Sequence, residues 1–420
     1  MDNPPPRALL RLMEFDCDII VVGGGLNGPA LALSLANAGQ SVTIIDALPL
    51  KTRKKPTFDG RSYALALTSA RLFQALGIWE TIEDHAQPML DIKVSDGRVG
   101  EGPSPFFMHF DHAEIEEGPM GYMVEDRHLR PALLTAVKKS KTIRQINGDQ
   151  VIAQDADASG IVAHLASGKS LRARLLIGCD GRDSGTAKRA GISRIGWGYD
   201  QTALVCAVDH ALPHNGVAHQ FFMPAGPLAI LPLTGNRSSI VWSETTQNAL
   251  RINKMQEADY LNVLRPRFGS FLGEISLAGA RFTYPLSLSI ATELVARRVA
   301  LVGDAAHGVH PIAGQGLNAG IRDVAALADV IVDASRRGED IGGSVVLARY
   351  QQWRRFDNTS LALATDTFNR LFSNDSSILR GARDIGMGLV TRLPGLRRRF
   401  IREAAGLTGD LPRLLKGETL

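Results

Sequence analysis

The stretch Asp18-Ile-Ile-Val-Val-Gly-Gly-Gly-Leu-Asn-Gly-Pro-Ala30 decides the fold. Ile19 to Val22 are consecutive β-branched residues, as in a strand buried on both faces. Gly23, Gly25 and Gly28 follow in G-x-G-x-x-G spacing. Leu31 to Ala38 reads as a helix stopped by Gly39, and Ser41 to Ile45 as a second strand ending at Asp46. In such a unit the first glycine permits a tight turn and the second lets backbone approach a pyrophosphate. The third lets the helix pack on the strand. The helix N-terminus then faces the phosphates, and Asp46 can accept hydrogen bonds from a ribose. A lone glycine fingerprint is weak. Its place between strand and helix, with an acid 18 residues past Gly28, is the context that makes it a dinucleotide site.

Two later segments converge on the same site. Leu175-Leu-Ile-Gly-Cys-Asp-Gly-Arg-Asp-Ser184 is a short apolar strand ending at Asp180-Gly181; alone it is an ordinary strand-to-turn junction. Val299 to Val302 is another buried strand, closed by Gly303-Asp304-Ala-Ala-His307. His310-Pro-Ile-Ala-Gly-Gln-Gly-Leu-Asn-Ala-Gly-Ile-Arg-Asp323 follows, helical from Gly316 to about Val332. Pro311 and the glycines leave backbone N–H groups free at that helix start, which attracts electron-rich atoms. The pyrimidine edge of a reduced flavin is such a group. Three separated segments on one dinucleotide favour FAD over NAD, with Asp304 on the ribityl hydroxyls.

With these residues in hand, the chain resembles the class A flavoprotein monooxygenases of the para-hydroxybenzoate hydroxylase type, and within them the ubiquinone-biosynthesis hydroxylases. The resemblance runs from the fingerprint through Asp59-Gly-Arg61-Ser-Tyr-Ala-Leu65, Asp180-Gly181 and Gly303-Asp304 to Gly406-Leu-Thr-Gly-Asp-Leu-Pro412. The segment from His310 to Asp323 is the part specific to the ubiquinone group. The resemblance implies that Arg61 lies along the ribityl-pyrophosphate region and that Asp180 supports the pyrophosphate. It implies that Asp304 binds ribityl oxygen, and that Pro311, Gly314, Gln315, Gly316 and Asn318 line the isoalloxazine. Two positions depart from the pattern. Ala187 stands where many relatives carry arginine, and Asp126 where they often carry an amide or a cation.

The implied architecture is α/β: a Rossmann-like FAD-binding domain (about 14–75, 105–185 and 290–372) interleaved with an antiparallel-sheet substrate domain (76–104 and 186–289). A C-terminal helical region covers 373–420. The sequence supports the sheet independently. Thr202 to Val208, Val217 to Phe222, Leu228 to Leu231 and Ser238 to Trp242 read as short strands between Pro/Gly/Asn turns.

Composition agrees with an ordinary globular enzyme: 420 residues, 45% apolar and 21% charged, net charge +4. That charge is too small to argue for nucleic acid. Cys17, Cys179 and Cys206 are too few and odd in number for a disulfide framework, as suits a reducing cytoplasm. Neither a signal peptide nor an apolar run of about 20 residues is seen, so any membrane contact should be peripheral, at the inner membrane. No metal site is expected: Pro213 and Pro311 interrupt the sets His210, His214, His219 and His307, His310. Ser184 lacks a G-x-S-x-G elbow. Trp197, Trp242 and Phe222 suit either core or a substrate cavity.

The function implied is aromatic hydroxylation through a C4a-hydroperoxyflavin, on a polyprenylated phenol of ubiquinone biosynthesis, with O2 as co-substrate. Electrons come from NAD(P)H or an external reductase, and no catalytic acid or base stands out. Another aromatic substrate, a halogenase, a prenyl reductase and a non-catalytic flavin-binding scaffold are the alternatives. A halogenase's W-x-W-x-I-P is absent. Ile378, Ala382, Ile385 and Leu389 recur at helical spacing among arginines between Ser376 and Gly406. This stretch reads as a membrane contact, a helical cap, or a dock for other quinone-biosynthesis proteins.

Overall fold

The computed structural model describes residues 15–53, 57–100, 102–308, 315–355, 357 and 393–420. Strand β1 (Cys17–Val22), helix α1 (Asn27–Asn37) and strand β2 (Val42–Asp46) form the opening unit. Ile19, Ile20 and Val21 are fully buried, as a strand covered on both faces requires. Next come β3 (Ser62–Ala66), α2 (Leu67–Ala75), β4 (Gly121–Glu125), α3 (Asp126–Lys139) and β5 (Ile143–Asn147). β6 (Ser170–Gly178) and the short α4 (Gly185–Arg189) follow. The parallel sheet runs β5-β2-β1-β6 and is completed by β12 (Val299–Leu301). Helix α5 (Gln315–Arg336) crosses behind it and packs on α1.

The second sheet is built on β7 (Arg194–His210), β8 (Val217–Met223), β9 (Gly226–Leu233), β10 (Arg237–Thr245) and β11 (Ile275–Ala291). Its order is His307–Gly308, β11, β7, β10, β9, β8, then Asp91–Arg98 and Gly102–Asp111. One pairing differs from the expected antiparallel pattern: β8 lies parallel to Asp91–Arg98. The strand Gly102–Asp111 belongs to this sheet, so the expected division at 105 falls inside a strand and fits better after Asp111. One face of the sheet packs Leu204, Phe221 and Trp242 against two helices, Thr246–Asn253 and Glu257–Phe268, the second contributing Tyr260. The other face sets Ala207, Ala218 and Leu233 against Met89 and Met123 of a small sheet formed by β3, β4 and Ala86–Met89.

β7 is longer than the expected strand Thr202 to Val208, and its partner β11 is a strand not expected from the sequence. β7 and β11 continue together beyond the sheet as a ribbon, from Gly198↔Ser287 to Arg194↔Ala291. Gly196, Gly198 and Asp200 give this stretch the look of a turn, and Asp200 does adopt φ 52° at a register shift. Pairing with β11 overrides that local preference. The ribbon ends against His307–Gly308, so it joins the large sheet to the loop after β12.

At the C-terminus, α6 (Pro394–Ala404) buries Ile401, and Ala405 just past its end, against Leu67, Ile115 and Met120. Arg397 pairs with Glu114 at 2.6 Å, and Arg402 pairs with Glu117. The expected stripe Ile378 to Leu389 lies outside the described residues. Among the described residues, no helix is long and apolar enough to cross a membrane.

Candidate active site

The three fingerprint glycines do different jobs. Gly23 has φ +111°, and a Cβ there would lie 2.2 Å from the Cys179 carbonyl oxygen. A Cβ on Gly28 would lie 1.9 Å from the Gly23 carbonyl oxygen, so Gly28 permits the close packing of α1 on β1. A Cβ on Gly25 would meet nothing within 4 Å. Helix α1 begins beside this opening with no side-chain cap and no acid in its first turn. Its unpaired N–H groups and partial positive charge suit an anion. An open cradle, free helix N–H groups and a close-approach glycine are what a bound pyrophosphate requires, so the residues present fit FAD.

Asp46 closes β2 and its carboxylate accepts from the Gly24 and Leu48 N–H groups at 2.5 and 2.7 Å. It therefore also shapes the glycine loop. Asp180 accepts from Ser184 Oγ at 2.5 Å and from the Thr186 N–H at 2.9 Å, tying the turn after β6 to α4. Ser184 is buried and caps that helix through the Ala187 N–H. Gly303 has φ +65°, and Asp304 beside it is exposed. Gln315, Gly316 and Asn318 stand in the first turn of α5. Asn318 accepts from the Ala66 N–H and Ser69 Oγ at 2.8 Å each and donates to the Ala64 carbonyl at 2.9 Å. It thus locks the start of α5 to β3 and α2. Pro311 and Gly314 lie outside the described residues.

Arg61 pairs with Asp59 at 2.8 Å and Asp126 at 3.3 Å. Asp126 is buried and also takes the Tyr63 hydroxyl at 2.7 Å and Arg130 at 2.8 Å. Hydrogen bonding to Asp59 and the charge of Asp126 hold Arg61 above the usual guanidinium range, despite opposing burial. Burial, then Asp126, push the Tyr63 hydroxyl well above the usual phenol range.

Three features escaped the sequence reading. Asn27, inside the fingerprint, sits where Cβ atoms on Gly303 and Gly320 would lie 2.1 and 2.3 Å from its Nδ2; its buried Oδ1 has no hydrogen bond. Its only sequence signal was a polar residue between two fingerprint glycines. Asp323, fully buried, accepts from the Gly303 N–H at 2.9 Å, His307 Nε2 at 2.6 Å and Arg354 at 2.8 Å. Burial alone would raise its pKa, but the charges of His307 and Arg354 outweigh it and bring the value to about 2. Arg194, at the ribbon's end, donates to the backbone oxygens of Asp304, Ala305 and Ser289. No local motif announces either of these long-range ties.

The histidine sets have other occupations. His210 bonds Leu212 O and Ser238, and His214 bonds Leu233 O. Among the described residues no cluster of His, Cys, Asp and Glu could hold a metal. Burial and the charges of Asp180 and Asp323 push the Cys179 thiol up. Trp242 and Phe222 are buried, whereas Trp197 on the ribbon is 42% exposed.

The profile of the FAD binding domain family matches residues 16–356. A ubiquinone hydroxylase of Rhodospirillum rubrum is 44% identical over 96% of this chain and 93% of its own. The 3-demethoxyubiquinol 3-hydroxylase of Escherichia coli is 34% identical, covering 93% of this chain and 98% of its own. Among solved structures, p-nitrophenol 4-monooxygenase from Pseudomonas putida superimposes with a TM-score of 0.77 at 21% identity. It spans 94% of this chain and 99% of the enzyme. Klebsiella pneumoniae HpxO complexed with FAD gives 0.72 at 20% identity, over 93% of this chain and 98% of its own. At these identities the structural likeness concerns the fold.

Proposed function

The chain belongs to the FAD binding domain family, among its ubiquinone hydroxylases, and on that premise we propose that it hydroxylates the ring of a polyprenylated phenol on the way to ubiquinone. The observation that carries this reading is 44% identity to a ubiquinone hydroxylase across nearly the whole of both chains. FAD is the cofactor, and the protein is a monooxygenase. Bound FAD supplies the reducing electrons and the ring at which O2 is activated.

The chain's own residues then bind, orient and exclude water. In this reading Gly23, Gly25 and Gly28 with the α1 N-terminus receive the pyrophosphate, and Asp46 the ribose. Arg61, held by Asp59 and Asp126, lies along the ribityl-pyrophosphate region, and Asp180 supports the pyrophosphate partly through other side chains. Gly303 and Asp304 face the ribityl chain, and Gln315, Gly316 and Asn318 the flavin ring, together with Pro311 and Gly314. The large sheet roofs the ring. Electrons come from NAD(P)H or an external reductase. Purified protein should be yellow, and on reduction in air should convert a prenylated phenol to a product one oxygen heavier. A strain lacking it and any paralogue should accumulate a less hydroxylated quinone precursor. Normal quinone levels there would refute the pathway assignment.

One surface favours reaching that substrate at a membrane. Leu393, just before α6, and Leu396 and Phe400 on it are 45%, 37% and 39% exposed, and Arg398 and Arg399 of the same helix are exposed too. Apolar groups flanked by cations suit the face of an anionic bilayer, each cation adding roughly 1 kcal/mol. Co-sedimentation with anionic vesicles should fall at high salt and in the variant Arg398→Ser/Arg399→Ser. Equal sedimentation of variant and parent would remove this contact.

A further inference from the structure

A single amide interrupts an apolar row across the large sheet. The register aligns Val94, Gln220, Ala229, Val241, Val205 and Phe282 side by side across six strands. Side chains alternate along a strand. Phe221 enters the core made with the two covering helices, so Gln220 points with Ala218 and Phe222 to the opposite face. That face looks toward β3 and β4, where Ala218 lies in one cluster with Met123 and Ala64. In the row, Gln220, Val241, Val205 and Phe282 are only half-buried, so space remains over them. Yet Gln220 Nε2 is itself buried and makes no hydrogen bond. A buried amide nitrogen without a partner is unfavourable, and a methionine would fill the same volume without that defect.

We propose that Gln220 is a substrate-binding residue whose amide hydrogen-bonds an oxygen substituent on the aromatic ring, and so fixes which ring carbon is turned toward the flavin. The inference rests on the hydroxylase reading above. The chemistry fits the row: apolar neighbours and the small Ala229 take the face of a ring, and one amide, offering both a donor and an acceptor, takes its polar substituent. Prenyl and ring carbons gain from burial anywhere on such a surface. Only a fixed polar contact distinguishes one orientation of the ring from another.

The test uses the FAD-loaded full chain and the variant Gln220→Met, with an ortho-prenylated phenol of one isoprene unit as probe. Binding is read from the change in flavin fluorescence. Turnover is read as product per flavin after chemically reduced enzyme is mixed with O2. In Gln220→Met the Kd should rise about tenfold, the usual effect of one lost hydrogen bond. Product per flavin should fall, with more hydrogen peroxide released, and a second hydroxylated regioisomer should appear. FAD retention and Tm should stay at or above those of the parent. Parent-like Kd, yield and regiochemistry in Gln220→Met would overturn the role while leaving the hydroxylase reading intact. A lower Tm or lost FAD would also overturn it, by making Gln220 structural. Parent protein that binds FAD but yields no hydroxylated product would sink the hydroxylase reading, and this inference with it.

Discussion

At Gly25 an added side chain has room within the protein, whereas at Gly28 it has none. That contrast separates loss of ligand from loss of fold. Gly25→Val should abolish FAD binding while the apo-protein melts within about a degree of the parent apo-protein, since surface changes away from special features have small effects. Gly28→Val should fail to accumulate as folded protein. Flavin absorbance and a melting curve on each variant check this, and full flavin retention in Gly25→Val would sink the site. Asp323 poses a different problem, because a fully buried carboxylate is tolerable only while paired. Asp323→Asn should destabilise the fold by about 3–5 kcal/mol. The native pKa, about 2, lies below the ordinary value of 3.8. The unfolded state therefore binds the proton more readily, and the stability Asp323 contributes is complete above about pH 4 and lost as pH falls toward 2. Denaturant melts across that range should show a shallower acid limb in Asp323→Asn. The glycines were legible because their spacing is local. Asp323 was not, because its partners Gly303, His307 and Arg354 are distant in sequence.

Among elements, α6 shows how a local pattern can leave its meaning open. In sequence its arginines suit a membrane contact, a helical cap or a dock for other proteins. Packing divides them: Arg397 and Arg402 face Glu114 and Glu117, while Arg398 and Arg399 face outward. Ile401 is fully buried against Leu67 and Met120. Ile401→Ala should therefore destabilise by about 2–5 kcal/mol, read from denaturant unfolding. Arg398→Ser should change stability by less than about 0.5 kcal/mol. If the two variants melt alike, α6 is not part of the folded core. The ribbon of β7 and β11 is the converse case. Its Gly196-Trp-Gly198-Tyr-Asp200 stretch is rich in residues that disfavour a strand, and pairing with β11 makes it extended.

On the scale of the whole molecule, the loop Phe58 to Arg61, which leads into β3, braces α3 against the large sheet. Phe58 lies between Arg127, 5.5 Å from its ring centre, and Arg237 of the large sheet, at 4.8 Å. Gly60 has φ +98°, and a Cβ there would sit 2.7 Å from the Ala280 carbonyl oxygen; the Ala280 N–H donates to Asp59 O at 3.2 Å. Only glycine satisfies both the backbone angle and the clearance. Gly60→Val should lower Tm by several degrees and weaken FAD retention, because Arg61 follows directly. A variant with parent-like Tm and flavin affinity would show that this junction carries no weight.

The sequence by itself determined the dinucleotide unit, because strand, glycine turn, helix and acid are contiguous and local. It also determined the FAD assignment and the family, because several separate motifs, each short and contiguous, agree on one cofactor. It also marked four strands of the large sheet through alternation and turn residues. Tertiary structure alone decided the rest. The parallel pairing of β8 with Asp91–Arg98, the ribbon that reaches His307–Gly308, and the buried tie of Asp323 to His307 and Arg354 all join residues far apart in the chain. Such contacts leave no periodic trace. Each side chain is unremarkable in its own segment and acquires its role only when another segment excludes water from it.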